Sequence, residues 1–138
     1  MKKLLITACL VALAGSAYAA DPADGVWKTQ KGQVKSDGSG GGYLYVQIGE
    51  CGAKICGTIV KAFDKEGKDD PKYEHIGKPI IKDMSPDGSG YYSGGTIWAP
   101  DEDKTYVSKM YLNGDVLTVK GCVLGGLICR GQDWNRVK

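Results

Sequence analysis

Apolar and polar residues alternate along much of this chain with a period of two. Tyr43-Leu44-Tyr45-Val46-Gln47-Ile48 places Leu44, Val46 and Ile48 on one face, the pattern of a half-buried strand. Ile55 to Phe63 is apolar and rich in β-branched residues, and it predicts a second strand paired with the first as a hairpin. Further strands are predicted at Gly25 to Thr29, Pro79 to Lys82, Tyr91 to Ala99, Thr105 to Leu112, Val116 to Lys120 and Cys129 to Val137. Pro86-Asp87-Gly88 and Asn113-Gly114-Asp115 between them supply residues that tolerate positive φ, so the chain can reverse there. Ser36 to Gly42 reads as a flexible connection and Asp64 to His75 as a charged loop. No long apolar stripe of period 3.6 is present, which leaves room for a short helix only within Asp64 to Ile76. About eight strands in so short a chain have edges to manage, and an antiparallel barrel, closed or nearly closed, is the economical solution. The predicted fold class is therefore all-β.

The amino terminus follows a different pattern. A basic start, Met1-Lys2-Lys3, precedes an apolar run from Leu4 to Gly15 and the small-residue sequence Ala17-Tyr18-Ala19. These are the three parts of an export signal, with cleavage expected after Ala19. The run is shorter than the ~20 residues a spanning helix needs, so no transmembrane segment is expected. Ile6-Thr7-Ala8-Cys9 has the letters of a lipoprotein box, but an apolar segment rather than a polar mature sequence follows Cys9. Residues 20–138 are then expected as one domain, periplasmic or secreted.

Removing the signal changes the charge. Of the 18 basic residues Lys2 and Lys3 are lost, leaving 16 against 16 acidic ones, all of which lie in the mature part. A balanced chain offers no general attraction to phosphate backbones, which argues against a nucleic-acid partner. Four cysteines remain, Cys51, Cys56, Cys122 and Cys129, and an even count in an exported chain reads as two disulfides. Three pairings are possible. Local hairpins favour Cys51 with Cys56 and Cys122 with Cys129, each pair facing across a tight turn. A zinc site is the rival reading, disfavoured by C-x4-C and C-x6-C spacings and by a single histidine, His75, lying elsewhere.

Several motifs occur in a fixed order: Gly25-Val26-Trp27, Cys51-Gly52 with Ile55-Cys56-Gly57, Gly94-Gly95-Thr96-Ile97 before Pro100, Lys104-Thr105-Tyr106, Leu117 to Cys122, and Trp134-Asn135-Arg136. The ordered set resembles the domain of unknown function 2147 family and covers essentially the whole mature chain. That resemblance implies an exported bacterial protein with a lipocalin-like (calycin-like) barrel, in a family whose biochemical role is largely unassigned. The chain departs from the pattern by the glycine-rich stretch Gly38 to Gly42 and by a shortened segment near Asp70-Pro71. Gly25-x-Trp27 also resembles the first-strand signature of lipocalins. It implies that Trp27 packs at the closed end against an arginine of the last strand, with Arg136 the first candidate and Arg130 the second, in a structural role.

Three function classes follow. The first is binding of a small apolar or amphipathic ligand in the barrel mouth. Alternation puts Tyr106, Ser108, Met110 and Leu112 on one face, joined by Leu117 and Val119, and Tyr92 and Trp98 stand as entrance residues. The expected ligand contacts are Tyr92, Trp98, Tyr106 and Met110; the bland alternative is that all are core. The second is a carboxylate-dependent enzyme, for which no catalytic residue is nominated. His75 reads as a solvated loop histidine, Asp64 to Asp69 departs from calcium-loop spacing, and Gly38 to Gly42 lacks a phosphate-loop ending. No cofactor or metal is expected. The third is an envelope interaction or inhibitor module with an unknown protein partner, using the Asp64 to Ile76 loop or the Tyr91, Tyr92 and Trp98 aromatics.

Overall fold

The computed structural model describes residues 20–138. The export signal, its cleavage after Ala19, and Cys9 lie outside the described residues. Eight antiparallel strands follow one another around a closed barrel: β1 (Gly25–Lys28), β2 (Tyr43–Cys51), β3 (Lys54–Phe63), β4 (Pro79–Pro86), β5 (Tyr91–Ala99), β6 (Lys104–Asn113), β7 (Val116–Val123) and β8 (Ile128–Arg136). Because each strand pairs with the next, the connections sort onto two ends. The tight β2–β3, β4–β5 and β6–β7 turns share one end with the carboxyl terminus and the segment leading into β1. The β1–β2, β3–β4, β5–β6 and β7–β8 connections share the other. Two disulfides, Cys51–Cys56 and Cys122–Cys129, staple one hairpin at each end.

The seam that closes the barrel is short. β1 pairs with β8 at only two positions, Trp27 with Arg136 and Lys28 with Asn135. Beyond it, Val26 donates its N–H to the Lys138 carbonyl at 2.8 Å, and Val137 donates to Val26 at 2.7 Å. On the seam the Arg136 guanidinium carbon stands 4.3 Å from the Trp27 ring centroid, a cation–π contact. The same guanidinium donates to the Pro22 carbonyl at 2.8 Å and the Asp24 carbonyl at 2.9 Å, and pairs with Asp115 at 3.0 Å. Residues 21–24 are thereby drawn across the tight end as a plug. Trp27 donates its indole N–H to the Ala23 carbonyl at 2.8 Å, and the Tyr92 hydroxyl donates to the Asp21 carboxylate.

The interior is filled by the chain's own side chains. Trp27, Trp134, Ile48, Ile59, Ile81, Met84, Met110 and Leu117 are all completely buried, with Val46, Val119 and Ser108 among them. An eight-stranded barrel is just wide enough for its side chains to fill it, and two indoles take much of that space. Glycines on the inner face set how closely the layers approach. A Cβ at Gly95 would stand 2.3 Å from the Lys82 carbonyl oxygen and 2.4 Å from Met84 Sδ, whereas one at Gly121 would meet Ile97 and Tyr106 at ordinary contact.

β4 and β7 both run past their expected ends. β4 runs on to Pro86 rather than stopping at Lys82, because Asp83 adopts φ 58° and the strand bulges there. The bulge lets Ile81 and Met84, three residues apart, both face inward, which simple alternation does not show. β7 continues to Val123, and a 3-10 turn at Leu124–Gly126 carries the chain into β8. The glycine-rich stretch before β2 closes on itself through a Val34–Gly40 bridge, with the Asp37 carboxylate accepting from Ser39. The charged β3–β4 loop holds turns and a Phe63–Asp69 bridge rather than a helix, and its Asp64 carboxylate accepts the N–H groups of Glu66 and Lys68.

Three outcomes follow from this packing. Arg136→Ala removes the cation–π contact and three charged hydrogen bonds and should lower unfolding free energy by ~3 kcal/mol in urea melts, while Arg130→Ala stays within ~0.5 kcal/mol. Gly95→Ala forces the β4 bulge apart and should lose ~2 kcal/mol or more, against little change for Gly121→Ala. The third concerns Asp24, whose Oδ1 is buried without a partner. Burial first, then the Asp21 and Glu50 charges, raise its pKa above the ordinary value of 3.8. A carboxyl whose folded pKa is raised favours the fold while protonated, and that contribution disappears as pH rises through the folded pKa. Asp24→Asn should therefore raise the melting temperature at pH 7, and the gain should shrink as the melts are repeated toward pH 3.

Candidate functional site

The residues expected to bind ligand do not share one surface. Tyr92 pairs with Met110 across β5 and β6, and both are buried in the core, 3% and 2% exposed. Burial, followed by the hydrogen bond to Asp21, pushes the Tyr92 hydroxyl far above its ordinary pKa, so it stays a donor to that carboxylate. Tyr106 continues the inward face toward the open end, where it is half-buried and its hydroxyl donates to Glu102. That bond raises the Tyr106 pKa, and the Arg130 charge nearby opposes the rise.

Trp98 points the other way. The pairs Ile81–Ile97 and Ile97–Tyr106 run across the inner face, and Ile81 is completely buried. The pairs Lys82–Thr96 and Trp98–Thr105 sit on the alternate positions, which the pleat directs outward. A register shift between Tyr92 and Gly95 separates the two parities, so Tyr92 and Trp98 end on opposite faces. Tyr91 and Tyr111 likewise face outward and lie 4.5 Å apart, both exposed.

Around Trp98 the outer face forms a groove of about 240 Å³. Pro79, Ile80 and Trp98 give it apolar walls, and Lys78, Lys82, Thr96 and Thr105 give it polar ones. Ile80 is nearly fully buried there, and Tyr73 and Trp98 pack against the core cluster to which it belongs. The β3–β4 loop fixes the indole from above. His75 meets Trp98 edge-on at 4.9 Å and Tyr73 at 5.2 Å, while Trp98 donates its N–H to Asp103 at 3.0 Å. The Lys78 ammonium lies 2.9 Å from His75 Nδ1 and 5.8 Å from the indole centroid. An ammonium only donates, so Nδ1 accepts and the ring proton sits on Nε2, facing Glu74 at 3.3 Å.

His75 is thus a wedge between two aromatic rings, its side chain 16% exposed, rather than a histidine standing free in solvent. Burial, with Asp101 next, raises the pKa of its neighbour Tyr73. Among the described residues neither Lys78 nor Lys82 forms an ion pair, so the groove presents two ammonium groups beside an apolar floor. A second depression, of about 250 Å³, lies at the plugged end among Asp21, Glu50, Lys54, Ile55 and Pro86. The sequence signal for the groove was Trp98 itself; the lysines that complete it carried no motif.

Among the described residues no helix is long and apolar enough to cross a membrane. The two disulfides are compatible with an exported protein. No curated protein matches the sequence. Among solved structures the chain is similar to protein HP1028 from the human pathogen Helicobacter pylori, described as belonging to the lipocalin family. The TM-score is 0.62 and the identity 17%, over 83% of this chain and 82% of that one. This likeness shows the fold, a lipocalin-like barrel. The family model described as "uncharacterized protein conserved in bacteria" (DUF2147) matches residues 25–136, and the chain belongs to that family.

Proposed function

We propose that this is an exported, periplasmic or secreted, binding protein for a small amphipathic anion, held outside the barrel in the Trp98 groove. The observation that supports this reading is the pairing of a filled interior with an outer groove that joins an apolar floor to two ammonium groups. A ligand with an apolar body and one carboxylate or sulfonate would lay the body on Trp98, Pro79 and Ile80. Its anionic end would meet Lys78 and Lys82, with the Thr96 and Thr105 hydroxyls fixing its orientation. Indole and ammonium together suit such a ligand, since the ring gives area at little entropic cost and the charge gives direction. The lipocalin-like fold is compatible with small-ligand binding, but here the lumen residues Tyr92 and Met110 serve the core. Tyr106 lies on the half-buried rim of the mouth.

Isothermal titration with decanoate and with anilinonaphthalene sulfonate tests the reading, after organic extraction of whatever co-purifies from the native envelope. Trp98→Ala and Lys82→Gln should each weaken binding about tenfold or more, whereas Tyr106→Phe should leave it within about twofold. Binding that ignores Trp98→Ala and responds to Tyr106→Phe would return the site to the barrel mouth.

A further inference from the structure

The β7–β8 hairpin carries the two most exposed large apolar residues of the described chain, Leu127 and Leu124, with two more beside them. Leu127 is 86% exposed, Leu124 69%, Ile128 56% and Val123 45%, and no charged residue interrupts Val123 to Ile128. Leu124 holds φ 52°, a backbone region that β-carbon crowding disfavours for any residue but glycine. Gly125 and Gly126 continue in positive φ, and the Cys122–Cys129 disulfide closes the hairpin beneath them. Such a conformation persists only where the surroundings impose it, and it holds these side chains out from the barrel.

Three basic residues stand near the hairpin. A methyl group built on Gly126 would lie 3.6 Å from Lys109 Nζ, so that lysine reaches the tip. Lys109 pairs with Lys120, and Lys120 with Gly131, on the same outer face, and Arg130 follows the second cysteine directly. The nearby carboxylates keep their charge but are held away from the tip: Asp133 bonds Thr118 farther along β8, Asp103 bonds Trp98 at the groove and Glu102 bonds Tyr106.

An apolar tip backed by ammonium and guanidinium groups matches the boundary of an anionic bilayer, where leucines enter the acyl region and cations meet phosphates. We propose that the β7–β8 hairpin docks the protein on an anionic phospholipid surface, inserting Leu124 and Leu127 while Lys109, Lys120 and Arg130 stay among the headgroups. This rests on residues separate from the Trp98 groove.

Co-sedimentation of the purified protein with vesicles of phosphatidylglycerol and phosphatidylethanolamine, against vesicles of phosphatidylcholine alone, tests it. The anionic vesicles should bind at least tenfold more protein, and 0.5 M salt should remove most of the difference. Leu127→Asn, and separately Leu124→Asn, which suits positive φ, should each lower partitioning about tenfold, with melting temperatures within a few degrees of the parent. Lys109→Gln with Lys120→Gln should abolish the preference for anionic lipid. Trp98→Ala should bind vesicles as the parent does, which keeps this test apart from that of the groove. Equal binding to both vesicles, or leucine variants that partition like the parent, would overturn the proposal. So would a self-associated protein that ignores vesicles and is dispersed by Leu127→Asn, since the occupant would then be a second copy.

Discussion

Whether eight strands make a barrel or a curled open sheet depends on the seam between first and last, and here that seam has two paired positions. So short a ladder contributes little by itself. It is reinforced by Arg136, which lies on the Trp27 indole and ties down the Pro22 and Asp24 carbonyls. The guanidinium suits this place because its planar fork can stack and donate in two directions at once, which an ammonium cannot. Through these bonds the segment before β1 becomes a plug, and the plug in turn gives Trp27 and Tyr92 their hydrogen-bond partners. Two large polar-tipped aromatics can then be buried at the tight end without leaving a donor unsatisfied.

That arrangement determines where binding can occur. With Trp27 and Trp134 both inside, joined by Met84 and Met110, the lumen is a core rather than a cup. Chemistry is displaced to the outer wall and to the open end, where loops are longer and polar residues gather. Beside the Trp98 groove the β3–β4 loop sets His75 edge-on against the indole and Tyr73 against His75, while Lys78 from the same loop lines the groove itself. The histidine matters as a shaped, hydrogen-bonded spacer between Lys78 and Glu74.

The period of two, the turn residues and the cysteine spacing were enough to read the eight strand segments, the cysteine hairpins and the all-β class from the sequence. What escaped is tied to bulges. Tyr92 and Trp98 have the same parity and read as neighbours on one face; the shift at Gly94-Gly95 reverses that parity, so one enters the core and the other the groove. Asp83 does the same in β4, where Met84 looked out of phase with Ile81. Arg136 and Arg130 also share a parity, and only their height along β8 separates them: one meets Trp27 at the seam, the other Gly121 near the mouth. A bulge is one residue of extra backbone, and nothing in hydrophobicity alone marks it.

The β7–β8 hairpin was legible as a tight turn between Cys122 and Cys129, but the exposure of its side chains was not. Val123, Leu124, Leu127 and Ile128 look like residues bound for a core, and pattern alone gives no sign that they stand in water. Their disulfide closes a loop of few residues, and a short loop restricts the unfolded chain less than a long one would. Its main effect is then local, on the rigidity of the tip. Four apolar residues on a loose hairpin would pair readily with other chains. Bridged at its base and bent through three successive positive φ angles, the same segment presents side chains while offering no straight strand edge. An exposed apolar tip built with that much constraint is better explained by a surface it is meant to meet than by a failure to bury it.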